Sequence, residues 1–326
     1  MTELSIPNVV PACQLDTSGR KRLEEEFTQI AYDYSVDVEK YLDAAFIATV
    51  RALPADVLGP LVGLRKVDSP GSLVVLNLPV DPDVPATPAP TAQGLYDLVP
   101  MARAALFGIA RVLGEPFGYR GEYDGEMVTH VLPSRLSLDA TSSQGSRKPL
   151  PFHTEDVHLD PISPDYVALY CVRSDASNRA KTRLAYARDI VRRVPDDLLE
   201  ILRLPLFFVR SPLSFGQSGV NSGPLPVIRG SRSRPQITAE FTDMVGLTAS
   251  ATSALHAVAE AANQTAVEVE LRAGDILLID NRKTLHGRTA FDPRMDGTDR
   301  WLLRTLIRSG DLWDWRLYLD QRQVVL

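Results

Sequence analysis

Cysteine is scarce in this chain: Cys13 and Cys171 are the only two in 326 residues. Two distant thiols make neither a disulfide framework nor a CxxC pair. That excludes a small disulfide-stapled module and fits a reduced compartment. Basic excess is lacking too. Lys and Arg number 35 against 41 Asp and Glu, giving a net charge of -6 and a pI near 5.5, so the electrostatic footprint of a nucleic-acid binder is missing. No apolar run approaches the roughly 20 residues of a membrane-spanning helix. The opening Met1-Thr2-Glu3-Leu4-Ser5 lacks the basic-then-apolar pattern of a signal peptide. The expectation is a cytoplasmic protein that meets neither nucleic acid nor membrane and needs no obligate protein partner. There is no internal repeat, and the HExxH pattern of helical zinc hydrolases is absent.

What is present is ordinary globular material. Hydrophobic residues at 44% and charged residues at 23% suit a packed core. Leu23, Phe27, Ile30 and then Tyr41, Leu42, Ala45 recur at helical spacing, so Ser18 to Leu53 reads as helix. A second helical stretch runs from about Tyr96 to Val112, and Gly71 to Leu78 reads as a buried strand. After residue 70 short strands alternate with turns. The whole predicts a mainly β fold with flanking helices, built on a double-stranded β-helix or jelly-roll core. One domain is expected over residues 1–326, with a helical N-terminal portion, about 18–115, packing on the barrel. Thr265 to Leu271 and Asp275 to Asp280, joined by Ala273-Gly274, read as a hairpin.

Chemistry concentrates in two distant stretches. In the first, Pro151-Phe152-His153-Thr154-Glu155-Asp156, strand geometry puts residues i and i+2 on one face, so His153 and Glu155 aim an imidazole and a carboxylate at one point. A second imidazole from a neighbouring strand completes two His and one carboxylate on one face of a metal, the pattern of non-haem Fe(II) oxygenases. His286, just after the apolar run Asp275 to Asp280, is the candidate. The pair alone is weak: with 5 His and 41 acidic residues, chance supplies about 0.6 His-x-acid pairs. A hydrogen-bonded packing histidine is the plain alternative. His130 reads as a strand or core residue, and His158 as an exposed loop residue.

The second stretch shifts the balance. Arg300, Leu302, Arg304 and Leu306 fall on one face of a period-two run, with Trp301, Leu303, Thr305 and Ile307 on the other. Two arginines on the inner face of a packed strand are costly without an anion, and the guanidinium fork matches a carboxylate. The alternative is an edge strand whose arginines face water.

These stretches carry a resemblance. FHTED (152–156), GDILLIDNRKTLHGRTAF (274–291) and DGTDRWLLR (296–304) are similar to clavaminate synthase and its relatives, Fe(II)/2-oxoglutarate oxygenases of the taurine-dioxygenase-like superfamily. The likeness is strongest at about 149–181 and 267–308. It implies the jelly-roll fold, with Fe(II) as cofactor and 2-oxoglutarate and O2 as cosubstrates. It assigns metal binding and catalysis to His153, Glu155 and His286. Arg300, fourteen residues past that histidine, would hold 2-oxoglutarate with Thr182. Arg304 would meet the substrate's carboxylate, Glu240 its polar group (Asp243 in reserve), and Ser143 would touch it from the preceding loop. The implied reaction is hydroxylation of an unactivated C–H bond in a small amino acid or amino-acid-derived molecule, in specialised natural-product metabolism. Desaturation or cyclisation, or a cyclic dipeptide substrate, are variants of the same chemistry. Two other classes stay open: a zinc hydrolase, active without O2, and a non-catalytic β-barrel binding protein.

Overall fold

The strand Trp301–Arg308 lies within the larger of two facing β-sheets, and its alternation sorts the core. Trp301, Leu303 and Ile307 join the cluster that contains the N-terminal helices; Leu302 and Leu306 join the one between the sheets. The computed structural model describes residues 9–90, 95–160, 162–177, 179–210, 221–309, 318–319 and 324–325.

The larger sheet runs Ala12–Gln14, Ser72–Leu76, Ile276–Asp280, Tyr166–Arg173, Trp301–Arg308 and Glu115–Tyr119. Val324–Val325 and Tyr318–Leu319 extend it, and Thr129–Val131 also pairs with Trp301–Arg308. The smaller sheet is antiparallel, in the order Val267–Val269, Thr182–Tyr186, Thr284–Arg288, Leu150–His153. Leu184, Val269 and Leu271 from this sheet meet Val167, Leu169, Leu277 and Ile279 from the larger one. Two sheets closed on one apolar filling, with helices outside both, make the jelly-roll expected from the sequence.

Helices Thr17–Thr28, Val38–Ala52, Ala55–Leu64 and Pro100–Leu113 cover the outer face of the larger sheet. Pro100–Leu113 starts with proline, whose missing N–H costs nothing there, and Asp81 accepts from Met101 N at 2.8 Å and Ala102 N at 2.9 Å. On the far side, Ala187–Arg193, Asp196–Leu202 and Ala249–Thr265 pack on Ala185 and Leu285 of the smaller sheet. No helix of the described residues is long and apolar enough to cross a membrane.

Two expectations need correction. Ser18 to Leu53 is not one helix but two. Between them Asp33 accepts from Ser35 N at 2.7 Å and Ser35 Oγ at 2.6 Å, a local bond that competes with helical pairing. The 265–280 hairpin is also absent. Val267–Val269 pairs with Thr182–Tyr186, whereas Ile276–Asp280 pairs with Ser72–Leu76 and Tyr166–Arg173 in the opposite sheet. Gly274, at φ +87, turns the chain across the barrel. All of Ile276–Asp280 is buried, and such a strand needs neighbours on both edges.

The helical layer is pinned at one close crossing. A Cβ at Gly108 would run into Thr49 Oγ1 and stand 2.8 Å from the Ala45 carbonyl oxygen. Gly108→Ala is therefore expected to cost about 1–3 kcal/mol, read by denaturant unfolding; parental stability would show that the helices have room there.

Candidate active site

Register brings the two histidines together. His153 ends its strand directly opposite His286 on the neighbouring strand, with ring centroids 4.3 Å apart. Pro151 O lies 2.9 Å from His153 Nδ1. Accepting from Nδ1–H, it leaves Nε2 as the free lone pair. Glu155 follows on a turn clamped from two sides. Thr154 N donates to Ala239 O at 2.8 Å, and Glu155 N donates to Asn281 Oδ1 at 2.7 Å. Glu155 Oε1 lies 3.3 Å from His286 Nε2. One donor atom each from His153, Glu155 and His286 all fall within 4.8 Å of one another.

That cluster fits a divalent metal. Two neutral imidazoles and a carboxylate on one face leave further positions open, the donor set of a non-haem iron site. His286 Nδ1 is buried without a partner among the described residues, so whatever meets Nε2 sets its tautomer.

Arg304 binds the cluster to a residue absent from the sequence reading. Its Nη1 donates to both Glu155 oxygens at 3.0 Å, and its Nη2 reaches Glu122 Oε1 at 3.3 Å. Burial works to raise Glu155, yet Arg304, then His286 and His153, hold its carboxyl well below the usual range. Burial raises Glu122 against the pull of Arg304. Burial, then Glu122 and Glu155, raise Asp156 well above the ordinary value; its backbone is left-handed, φ 53. The Arg304 guanidinium itself stays charged, since Glu155 and Glu122 outweigh its burial.

Arg300, just ahead of the Trp301–Arg308 strand, is 7% exposed, and no carboxylate stands within ion-pair distance among the described residues. Burial lowers its affinity for its proton. It lines one cavity of about 280 Å³ with Thr182, Arg304, the three cluster residues, Glu240 and Ser143. All eight residues singled out in the sequence therefore converge. Such a volume lies near the small end of ligand pockets, about 300–1,000 Å³.

Glu240 is placed but engaged: its carboxylate accepts from Thr242 N and Asp243 N at 2.5 and 2.6 Å. Asp243 also lines the cavity. His130 is the strand residue expected, accepting from Trp301 Nε1 at 3.0 Å. His158 differs from expectation. It is half-buried on the cavity wall, because residues 157–159 form a short 3-10 turn that folds back over the site. Glu122 carried no signal, standing 182 residues from Arg304 in a polar turn. Arg288 did: the i, i+2 rule that joined His153 to Glu155 also places it on the His286 face.

The chain was compared with known proteins. Residues 97–306 match the model of the family described as taurine catabolism dioxygenase TauD, TfdA family. The chain belongs to that family. It is a 2-oxoglutarate-dependent dioxygenase. It is 34% identical over 297 residues to an L-asparagine oxygenase of Streptomyces coelicolor, covering 90% of this chain and 88% of the relative. Over 285 residues it is 33% identical to clavaminate synthase 2 of Streptomyces clavuligerus, covering 84% and 85%. A crystal structure of asparagine oxygenase with Fe(II), 2S,3S-3-hydroxyasparagine and succinate superposes with a TM-score of 0.88 at 32% identity, over 96% of this chain and 98% of that one. The dioxygenase and its clavaminate-synthase likeness were both expected from FHTED and the 274–304 stretch.

Two measurements check the site. Burial, then the charge of His286, pushes His153 down to about 4, against about 6.5 in an unfolded chain. Imidazole NMR of the metal-free dioxygenase should show His153 neutral down to about pH 5; a midpoint near 6.5 would contradict the site. Arg304→Met strands two buried carboxyls and should cost about 3–5 kcal/mol, partly recovered by adding Glu122→Gln. Unfolding free energies equal to the parent's would mean the ion pairs are open to water.

Proposed function

We propose that this dioxygenase hydroxylates an unactivated C–H bond of a small free α-amino acid, with Fe(II) held by His153, Glu155 and His286. The observation that carries the reading is one small cavity holding that cluster together with two buried arginines, Arg300 without an ion-pair partner among the described residues and Arg304 set between two carboxyls. The two arginines then have different tasks. Arg300, with the Thr182 hydroxyl, takes the distal carboxylate of 2-oxoglutarate as an ion pair, with no carboxylate of the described residues within ion-pair distance to compete for it. Arg304 offers its charge to the substrate carboxylate, while Glu122 and Glu155 offer theirs to an ammonium group. A zwitterion matches both signs of that Arg304–carboxyl cluster; a neutral cyclic dipeptide would displace water from it and bring no charge in return. That favours the free amino acid over the ring. The acts of the asparagine oxygenase and clavaminate synthase relatives on amino-acid chemistry support the same substrate class and a place in natural-product metabolism.

Within the reaction, the chain's own residues bind, orient and exclude water. Pro151 O keeps His153 in the tautomer that donates through Nε2. Asn281 fixes the Glu155 backbone, so its carboxylate stays between His286 and Arg304. Ser143, Thr141 and Ser142 wall the substrate side, and Asp243, rather than the engaged Glu240, is the acid free to meet the substrate's distal polar group. Iron bound there would supply O2 activation coupled to oxidation of 2-oxoglutarate to succinate and CO2, with one oxygen atom passing to the substrate. We read residues 1–326 as one domain serving this site.

The test is anaerobic titration with Fe(II) and 2-oxoglutarate, following the weak visible charge-transfer band. A panel of amino acids and cyclic dipeptides is then added, with O2 and succinate detection. Succinate released on addition of a free amino acid is expected. Arg300→Met should raise the 2-oxoglutarate requirement about 10- to 150-fold, the loss of a charge-assisted bond worth about 1.5–3 kcal/mol. No band in folded parent protein, or activity without O2, would overturn the proposal.

A further inference from the structure

Arg288 is a buried cation on the cavity wall with no role so far. It ends the Thr284–Arg288 strand that carries His286, lies opposite Thr182, and is 4% exposed. No carboxylate stands within ion-pair distance of it among the described residues. Its donors go to backbone carbonyls instead: Nη1 to Ser146 O at 3.2 Å and Thr289 O at 3.1 Å, Nη2 to Lys148 O at 3.4 Å. Its guanidinium lies over the Phe291 ring, 5.0 Å from the centroid. Phe291 N donates to the same Ser146 carbonyl at 2.9 Å. Nε is buried and has no partner among the described residues.

The receiving segment is one mechanical unit. Ser134 N bonds Gln144 O at 3.1 Å, Ser146 N and Arg147 N both bond Leu138 O at 3.0 Å, and Ala140 N bonds Ser137 O at 2.9 Å. It places Thr141, Ser142 and Ser143 on the cavity wall. Two further ties, Arg135 to Met295 O at 2.8 Å and Arg147 toward Asp292 at 3.7 Å, are on the exposed side. Beside the buried backbone bond from Phe291 N, Arg288 is thus a buried side-chain anchor of the segment, on the strand that bears the distal histidine.

The anchor is also charged, and Arg300, which lines the same cavity, is of the same sign. Burial, then repulsion by Arg300, pushes Arg288 down to about 10. Two buried guanidinia facing one cavity oppose each other until an anion stands between them. A carboxylate seated on Arg300 and Thr182 removes that opposition and lets Arg288 hold its carbonyls fully. A ligand shifts a neighbour's equilibrium only through such a difference in interaction.

We infer that Arg288 is a positioning residue that transmits occupancy of the 2-oxoglutarate carboxylate site to the substrate-facing segment 134–148. The inference rests on the function proposed above. Cosubstrate binding then firms the substrate wall before the substrate arrives, with Arg288 as the physical link.

The test is hydrogen exchange by mass spectrometry on the Fe(II)-loaded anaerobic protein, with and without 2-oxoglutarate, for the parent, Arg288→Met and Arg288→Lys. In the parent, 2-oxoglutarate should slow exchange across 134–148 by about 5-fold or more, the lower range of coupling between sites. Arg288→Met should still bind 2-oxoglutarate through Arg300 and lose the slowing. Arg288→Lys keeps the charge but not the fork and should lose at least half of it, which keeps the question decidable if the Met variant does not fold. A merely structural Arg288 would change exchange in the absence of ligand but leave the ligand-dependent part intact. Slowing equal to the parent's in the variants, or a parent that shows the visible band without slowing at 134–148, overturns the inference alone. A parent with neither band nor slowing overturns the proposed function and this inference with it.

Discussion

Asn281 joins the two sheets at the one place where a fraction of an ångström matters. Its Oδ1 accepts from Glu155 N, and its Nδ2 donates to Glu155 O and Pro164 O. The side chain is buried and every one of its polar atoms is engaged, so its orientation is over-determined. It stands directly after the Ile276–Asp280 strand of the larger sheet, yet holds the turn that leaves the smaller one. Glu155 sits beyond the last residue of its strand, and the next residue is left-handed. Nothing in strand pairing fixes such a position. The Asn281 bonds do, and with them the meeting of Glu155 with His286 and Arg304.

The cavity separates charge by sign. At one end stand Arg300 and Arg288, with no carboxylate within ion-pair distance among the described residues; at the other, Glu122, Glu155 and Asp156 surround Arg304. An oxoacid and an amino acid are thereby sorted before any fine contact is made. The Arg300 end answers a carboxylate, while the Arg304 end presents both signs to a zwitterion. Because both ends are buried, the discrimination is little screened by salt.

Legibility in the sequence followed the range of each constraint. The metal cluster could be read because its halves obey a local rule: His153 and Glu155 are two apart, and His286 follows an unmistakable apolar strand. Arg300 and Arg304 were readable because period-two alternation says which side of a strand is inside. The two-layer core followed from the same alternation. Glu122 was not readable, since it reaches Arg304 from a turn whose local composition is that of any surface loop. The crossing of the chain between sheets at Gly274 was missed for a related reason. Ala273-Gly274 between two apolar runs fits a hairpin equally well, and only the edges available to a fully buried strand decide against it. The break between the first two helices was a contest between Asp33 and helical periodicity that the apolar spacing alone could not show. The family resemblance pointed to Thr182 and Ser143, which no spacing would have given and which stand on the cavity wall, and its acid at Glu240 proved to be engaged by its own loop.

The Trp301–Arg308 strand serves two masters at alternate residues. Trp301, Leu303 and Ile307 are locked into the helix-covered layer, while Leu302, Arg304 and Leu306 look into the barrel. The two parities therefore answer to different partners: an outward change is felt first in the seating of the helices, an inward one in the barrel filling and the Arg304 ion pairs. One pleat thus couples the scaffold and the site along a single strand while giving each its own alternate positions.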